Sequence, residues 1–489
     1  MQKKLRNGTA LFLLLVLAFS AVPTALGASA PLPDFTQTQE AWDGYWETVK
    51  DDVGQIALTP GADETQLNFA WCSKLGMGSA AVRISRFPDM RDARTFLAAS
   101  RLAMPLYQAN FVTVAGLAEN TVYYYTYGTD GTWSEPAMYR TGISDAFDAL
   151  FVSDVQISSA EKGDAVLSRD ARGWDHTLNT ALRTHPDIRF VLSGGDQTNS
   201  GNHEAEYAAF LAPPALRSLP VATAIGNHDW MKLHNRYHFN NPNEVLSPIN
   251  TVFGRDYYFA YGNALFIVLD TNHHNAFDHY DAVKAAVQAH PDAMWRIVMM
   301  HHDIYGPGHH ADSDECAKLR RYLVPVFDKF DIDAVLTGHD HAYARSYQMK
   351  GNEAVKELQT QDGKWIDPEG TVYFTGGSAS ASKFYDWYDS SKQWWLASSF
   401  QERTAVYTVL SFEGNVLTVR AYRTDTNALI DSPYVIEKTK PQVPPEEETR
   451  LEGWQYVMEE ILGPYAVLVE SAFAIAKFVL RQIFPCMLS

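Results

Sequence analysis

The hydrophobic and polar positions of this chain follow two patterns that meet near residue 146. Before that point, short runs of alternating apolar and polar residues, rich in aromatic and β-branched types, are separated by Gly, Asn and Asp. Residues 66–71, 80–84 and 121–127 are the clearest of these runs. Such alternation is typical of strands that bury one face. The pattern predicts an antiparallel β-sandwich over residues 31–142.

Beyond residue 146 the apolar runs are continuous, and stretches with helical periodicity separate them. A continuous run is typical of a strand that is buried on both faces, so we predict a layered α/β domain over residues 146–435. Two later segments, residues 371–382 and 405–423, add strands that would complete a second sheet. The central runs are residues 149–152, 188–192, 221–225, 264–269, 297–300 and 334–336.

Polar side chains follow each central run. In α/β sheets the ligand site lies beyond the carboxyl ends of the strands, so we expect these side chains to converge there. They are Asp154, Asp196, Asn227, His228, Asp270, His301, His302, His339 and His341.

Most of these residues lie in five short motifs: SDVQ, SGGDQTNSG, AIGNHDW, VMMHH and LTGHDHAYAR. Each motif alone is weak, because an Asp after a strand can simply cap the next helix. Together, and in this order, they predict a site for two metal ions, which neutralise a phosphate ester and activate water. Carboxylate and imidazole donors suit Fe, Zn or Mn, and Asp196 is the best candidate for a bridging ligand. Because the motifs contain no cysteine, a structural zinc site is disfavoured.

In these motifs the chain resembles the calcineurin-like metallophosphoesterases of the purple acid phosphatase-like branch. The resemblance covers nearly all of residues 31–435. It implies an amino-terminal fibronectin type III-like domain followed by a four-layer α/β/β/α catalytic domain, although the residues alone leave a generic β-domain open. It also implies one metal ion held by Asp154, Asp196 and His341, and a second held by Asp196, Asn227, His301 and His339.

The resemblance further implies residues that act on the substrate. His228 would face the phosphate or the leaving group and be oriented by Asp229, as general acid catalysis requires. His310, in the Gly-rich loop after His301, would contact the phosphate. His302 and Asp303 would orient the ligands.

Two positions depart from the family pattern. The purple members carry a tyrosine three residues after the bridging Asp, where this chain has Asn199, so we expect a protein that is not purple. Gln156 stands where the superfamily has His or Gly; its carbonyl would bind the first metal or hydrogen-bond a ligand water. Arg345 would clamp the substrate anion or form a salt bridge inside the fold.

The first 30 residues predict a signal peptide, because Lys3, Lys4 and Arg6 precede an apolar stretch of residues 10–22 and then small residues. An uncleaved anchor is the alternative, although the stretch is shorter than the roughly 20 residues that a spanning helix needs. We therefore expect a secreted or cell-surface protein. Three cysteines, Cys72, Cys316 and Cys486, are too few for a disulfide framework.

The net charge and the carboxyl-terminal residues indicate which partners the protein could bind. With 40 basic and 58 acidic residues the net charge is -18, which argues against binding to a nucleic-acid duplex. Residues 436–489 form an acidic, Pro-rich linker and an apolar segment that charged residues interrupt. We expect an amphipathic helix that packs on the protein, on a partner subunit or at a membrane surface, with a spanning helix as the less favoured alternative.

These features predict a secreted hydrolase of phosphomonoesters or diesters that acts through a metal-bound hydroxide. A phosphodiesterase or nucleotidase for extracellular nucleotides is one alternative, in which Trp230, Tyr237 or Tyr305 would stack on the base. A second alternative is a surface-binding protein that has lost activity but keeps the phosphoesterase scaffold.

Overall fold

The computed structural model describes residues 38–129, 131–246, 255–355, 360–386, 393–440 and 450–462. The predicted signal peptide at residues 1–30, most of the apolar tail and Cys486 lie outside these ranges. Cys72 and Cys316 are buried free thiols.

The secondary structure of the described residues is as follows. The helices are α1 (Gln39–Val49), α2 (Asp164–Thr184), α3 (Glu204–Leu211), α4 (Asn235–His238), α5 (Ala276–Ala289), α6 (Asp314–Lys329) and α7 (Arg450–Tyr456). The strands are β1 (Ala57–Pro60), β2 (Gln66–Lys74), β3 (Ala80–Ser85), β4 (Arg94–Leu97), β5 (Ala99–Leu102), β6 (Tyr107–Ala115), β7 (Val122–Thr129), β8 (Thr132–Trp133), β9 (Ala137–Arg140), β10 (Ala146–Val152), β11 (Ile188–Ser193), β12 (Val221–Thr223), β13 (Tyr257–Tyr261), β14 (Ala264–Leu269), β15 (Trp295–Met300), β16 (Ala334–Thr337), β17 (Tyr343–Lys350), β18 (Glu353–Val355), β19 (Thr360–Gln361), β20 (Lys364–Ile366), β21 (Thr371–Thr375), β22 (Leu396–Phe400), β23 (Val406–Glu413), β24 (Val416–Arg423) and β25 (Tyr434–Glu437).

Strands β1 to β9 form the predicted sandwich. One antiparallel sheet has the order β1-β2-β6-β5, and the other has the order β4-β3-β7-β8 with β9 paired to β7. The alternating positions of β2 place Leu67, Phe69 and Trp71 in a core shared with Val82 and Tyr125 of the opposite sheet. The large apolar side chains of β2 thus mark the face that the sheet turns to the sandwich core, although the opposite face of β2 is buried as well.

One part of the predicted sandwich is different, because residues 39–49 form helix α1. Trp42, Trp46 and Val49 are buried, at a spacing that puts them on one side of a helix. The Trp42 indole donates a hydrogen bond to Ser168 Oγ (2.9 Å), and the Trp46 indole donates to Asp164 Oδ1 (3.3 Å). This segment therefore packs against α2 of the second domain and adds no strand to the sandwich.

The second domain contains two large sheets. The first has the order β12-β11-β10-β23-β24-β25-β20-β19, and the second has the order β13-β14-β15-β16-β21-β17-β18 with β22 paired to β17. Strands β10, β11 and β12 are mutually parallel, as are β14, β15, β16 and β21.

The sheets stack face to face, with helices on both outer sides. Phe266 and Val268 of β14 enter a core between the sheets, whereas Leu265, Ile267 and Leu269 enter a second core with α5 and α6. Helix α2 lies on the other side and contacts β23. This is the four-layer α/β/β/α arrangement, and it explains the continuous apolar run of β14, which is buried on both faces.

The described part of the tail packs on the protein. Val457, Ile461 and Leu462 lie in the outer core with α5 and α6, and the Trp454 ring meets Phe277 at 5.3 Å. Within the described residues, no helix combines the length and the apolar character that crossing a membrane requires.

Candidate metal centre

The predicted ligands converge where the parallel strands of both sheets end. Asp154, Asp196 and His301 each offer a donor atom, and these atoms lie within 4.8 Å of one another. His301 Nε2 is 3.4 Å from Asp196 Oδ2 and 3.1 Å from Asn227 Oδ1. On the other side, His341 Nε2 is 3.4 Å from Asp154 Oδ1. Five predicted ligands from five chain segments therefore share one cluster.

Backbone carbonyls orient the two buried imidazoles. His301 Nδ1 donates to the Gly194 carbonyl (2.9 Å), and His341 Nδ1 donates to the Lys383 carbonyl (3.2 Å). Because Nδ1 carries the proton in each ring, Nε2 is left to face the carboxylates. A histidine that binds a metal through one nitrogen is commonly fixed in this way through the other.

The loops that present these residues have an unusual backbone. Asp154, Asp196, His339 and His341 have φ angles of 49°, 51°, 74° and 51°. This left-handed region is sparsely populated by residues other than glycine and costs on the order of 1 kcal/mol or more each. Such strain is concentrated at functional sites, where the surrounding packing maintains it.

Close approach of the next loop fixes Asp196. The His228 backbone N–H donates to Asp196 Oδ1 at 2.9 Å. A Cβ atom on Gly226 would lie 1.9 Å from the same oxygen. Only glycine at this position lets the GNHD loop lie against the carboxylate.

The cluster stabilises positive charge. Burial alone would raise the pKa of Asp196 and lower that of His301, but their mutual attraction reverses both effects. The pKa of His301 is raised to about 10, and that of Asp196 is held below its ordinary value. A metal cation would take the place of the proton that this pair attracts.

Two buried oxygens test the fit of metal ions to this cluster. Asp154 Oδ2 accepts hydrogen bonds from Ser153 Oγ (2.7 Å) and the His339 N–H (2.9 Å), whereas Asp154 Oδ1 has no hydrogen-bond donor among the described residues. Gln156 Oε1 is also buried without a donor, while Gln156 Nε2 is 3.5 Å from Asn199 Oδ1. Buried acceptors are costly unless a donor or a cation satisfies them. The residues present therefore fit a metal centre.

Both domains match known families. Residues 53–141 match the purple acid phosphatase N-terminal domain, and residues 147–343 match the calcineurin-like phosphoesterase family. The chain carries a calcineurin-like phosphoesterase domain. A curated relative, purple acid phosphatase 3 of Arabidopsis thaliana, is 27% identical over 97 residues, which cover 18% of this chain and 26% of the relative. The chain thus matches about a quarter of that relative's length.

Solved structures show the same fold. Purple acid phosphatase PPD1 from yellow lupin (Lupinus luteus) seeds superposes with a TM-score of 0.63 at 16% identity, over 78% of this chain and 74% of that chain. The structure of PhoD superposes with a TM-score of 0.54 at 12% identity, over 86% of this chain and 98% of that chain. The sandwich and the phosphoesterase domain therefore form a known architecture.

Partly exposed residues form the rim of the candidate metal centre. Asp154, Asp196, His301 and His341 are buried to at least 98%, whereas Asn227 is exposed. His228, His310 and His339 are partly exposed. Two of these more exposed residues, His228 and His310, are the ones that the resemblance associates with the substrate, whereas Asn227 and His339 are predicted metal ligands.

The ring of His339 lies between the buried cluster and the rim. Its centroid is 5.0 Å from that of His301 and 4.1 Å from that of His310. Burial and the neighbouring histidines lower the pKa of His339 well below its ordinary value. A neutral imidazole is the form that binds a metal.

The expected pairing of Asp229 with His228 is wrong. The Asp229 oxygens accept hydrogen bonds from the backbone N–H groups of Gln197, Thr198 and Gly226. His228 Nδ1 instead donates to the Asn199 carbonyl at 2.9 Å. Burial and the charge of Asp196 raise the pKa of Asp229 to about 7. Asp229 therefore joins the two loops that carry the predicted ligands, and a backbone carbonyl orients His228.

The structure also decides the open interpretation of Arg345. Its Nε and Nη2 lie 2.7 and 3.2 Å from the two oxygens of Asp431, so it forms an internal salt bridge. His302 is buried and contacts Thr271 Oγ1 through Nδ1 (2.8 Å). Asp270, which also follows a strand, accepts from the side chain of Asn272 at 2.8 Å.

The sequence analysis missed two neighbours of the candidate metal centre. Tyr385 lies among three histidines, with ring centroids 5.6, 5.2 and 4.8 Å from those of His309, His310 and His341. No periodicity or motif marks its segment. Asp340 is fully buried and bonds to His310; its place inside the GHDH motif is the one signal that could have found it.

Proposed function

We propose that this chain is an exported phosphoesterase that hydrolyses phosphomonoesters at a centre of two metal ions. One observation carries the proposal: two imidazoles, locked through Nδ1 by backbone carbonyls, present Nε2 to the carboxylates of Asp154 and Asp196. Asp154 Oδ1 also supports the proposal: it is buried and receives no hydrogen bond among the described residues, and a cation would satisfy it.

The ligands divide into two sets around Asp196. Asp154 and His341 would hold one ion, and Asn227, His301 and His339 would hold the other, as the family resemblance implies. When bound, two metal ions would supply positive charge to the phosphate and lower the pKa of a water molecule. Gln156 Oε1 is a further donor for the first ion.

The rim residues would act on the ester itself. His228, held through Nδ1 by Asn199, has Nε2 available for the phosphate or the leaving-group oxygen. His310 has the same arrangement through Asp340. Either imidazole would stabilise developing charge or donate a proton.

One of the three aromatic residues that could stack on a nucleotide base, Tyr305, is excluded by its burial. Tyr305 is 1% exposed and donates to Asn352 Oδ1, so it cannot stack on a base. Trp230 and Tyr237 are partly exposed. Export is supported by the pattern of residues 1–30 alone, and contact of the tail with a membrane or a partner subunit stays a prediction.

Elemental analysis of the purified protein, paired with kinetics, tests the proposal. We expect about two metal ions per chain and faster hydrolysis of p-nitrophenyl phosphate than of bis(p-nitrophenyl) phosphate. Asp196→Ala should lose metal and abolish turnover. Asp187→Ala, which changes a carboxylate that is 71% exposed, should retain both.

The other outcomes separate the alternatives. Faster hydrolysis of the bis-ester would favour a phosphodiesterase over a phosphomonoesterase. If the protein binds no metal and shows no turnover after Mn, Fe and Zn are added, the catalytic proposal fails and a binding protein on this scaffold is left.

A further inference from the structure

We propose that Asp340 is a positioning residue, which holds the imidazole of His310 with Nε2 directed to the substrate side of the site. The inference rests on the proposed function. It assigns a role to the central aspartate of the GHDH motif, whose two neighbours, His339 and His341, are predicted metal ligands.

The contacts of Asp340 are concentrated on one loop. Its side chain is fully buried, and Oδ1 lies 2.8 Å from His310 Nδ1. The same oxygen accepts from the His310 backbone N–H at 3.2 Å, and Oδ2 accepts from the Gly308 N–H at 2.6 Å. One carboxylate therefore fixes both the backbone and the ring of His310.

The glycines of the YGPGHH segment allow this contact. A Cβ atom on Gly308 would lie 2.3 Å from Asp340 Cγ, and one on Gly306 would lie 1.8 Å from Oδ2 of the buried Asp303. Any larger residue would lift the loop from these two carboxyl groups. The position of His310 over the site thus depends on the packing of the loop against Asp340.

The ring of His310 lies beside a predicted metal ligand, His339. Its centroid is 4.1 Å from that of His339 and 5.2 Å from that of Tyr385. Asp340 Oδ1 accepts from Nδ1, so Nε2 is the nitrogen left for the substrate. Without Asp340 the ring would lose the hydrogen bond that fixes both its orientation and the nitrogen that carries the proton.

A double-mutant cycle separates positioning from general support of the fold. We expect Asp340→Asn to lower kcat by about 10- to 100-fold, the usual cost of removing a group that orients a site residue. The loss should be larger for glycerol phosphate than for p-nitrophenyl phosphate, because the alkoxide leaving group needs protonation more. In a His310→Ala background the same substitution should change kcat less than about twofold, since coupled residues are not additive.

The matched control is Asp312→Asn, which removes an exposed carboxylate in the same loop and should leave kcat unchanged. Nitrogen-15 NMR of the histidine rings supplies a readout that needs no turnover. The resonance lost in His310→Ala should show an Nδ1–H tautomer in the wild type, change in Asp340→Asn and stay in place in Asp312→Asn.

Three results would overturn the inference. They are equal kinetics of Asp340→Asn and Asp312→Asn, an equal effect of Asp340→Asn with and without His310, and loss of bound metal in Asp340→Asn. If the wild type binds metal but hydrolyses no ester, the proposed function fails, and the His310 resonance still decides whether Asp340 holds the ring.

Discussion

Replacing His279 by Gln should remove a stabilising charge pair whose strength depends on pH. His279 and Asp256 are 1% and 3% exposed, and His279 Nδ1 lies 2.8 Å from Asp256 Oδ2. His279 Nε2 contacts the carbonyl of His273 at 3.1 Å, and a carbonyl only accepts. Both ring nitrogens therefore carry protons, and the pair is an imidazolium with a carboxylate.

The pKa of His279 determines how much the pair contributes to the unfolding free energy. Burial alone would lower this pKa, but the charge and the hydrogen bond of Asp256 raise it from 6.5 to about 9. A shift of this size corresponds to roughly 3 kcal/mol of unfolding free energy. Because the folded pKa is the higher one, this contribution is complete below about pH 6.5 and is lost as the pH rises through about 9.

The position of the pair links it to the site. Asp256 Oδ1 accepts the Asp270 N–H at 2.8 Å, at the end of β14. Asn272 in the same turn donates to the carbonyl of Ile225, two residues before Asn227. Loss of the pair should therefore loosen a turn that supports the GNHD loop.

Thermal unfolding of the wild type and His279→Gln from pH 6.5 to 10, at equal metal loading, measures the effect. We expect a midpoint difference of roughly 3–5 °C at pH 6.5, which shrinks toward zero near pH 10. His290→Gln, at the end of the same helix, should show no such loss, because burial lowers the pKa of His290. A difference that stays constant with pH would refute the charge-pair reasoning and indicate lost packing instead.

Three further predictions concern other parts of the chain. Arg345→Met should lower the unfolding free energy by about 3 kcal/mol through loss of the Asp431 salt bridge, with KM unchanged; a raised KM without destabilisation would restore the substrate-clamp interpretation. Trp42→Ala should cost about 3–5 kcal/mol and release α1, as measured by thermal unfolding and by faster amide exchange in residues 39–49; exchange as slow as in the wild type would contradict this. Asn199→Tyr loaded with ferric iron should gain a visible charge-transfer band that the wild type lacks, and an unchanged absorption spectrum would place this side chain away from the metal.

The sequence alone determined the architecture and most of the cluster. A strand that is buried on both faces is mostly apolar, so β14 appears as a continuous apolar run, and β10, β11 and β15 appear as apolar runs with one charged residue each, Asp148, Arg189 and Arg296. Parallel strands place their carboxyl ends at one edge, so Asp154, Asp196 and His301 could be expected together before any coordinates were known. The alternation in β7 likewise reports burial of one face, whereas both faces of β2 are buried and only the type of side chain alternates.

Tertiary structure decided the partners of individual side chains. Arg345 meets Asp431 across 86 residues of chain, and Asp340 meets His310 across 30. Periodicity reports how deeply a residue is buried, but not which distant segment packs against it. His228 and His301 are oriented by backbone carbonyls, which every residue possesses and which therefore leave no trace in the sequence. The helix at residues 39–49 has helical spacing of Trp42, Trp46 and Val49, but its partner became clear only in the structure, where both indoles donate hydrogen bonds to α2, more than 100 residues away.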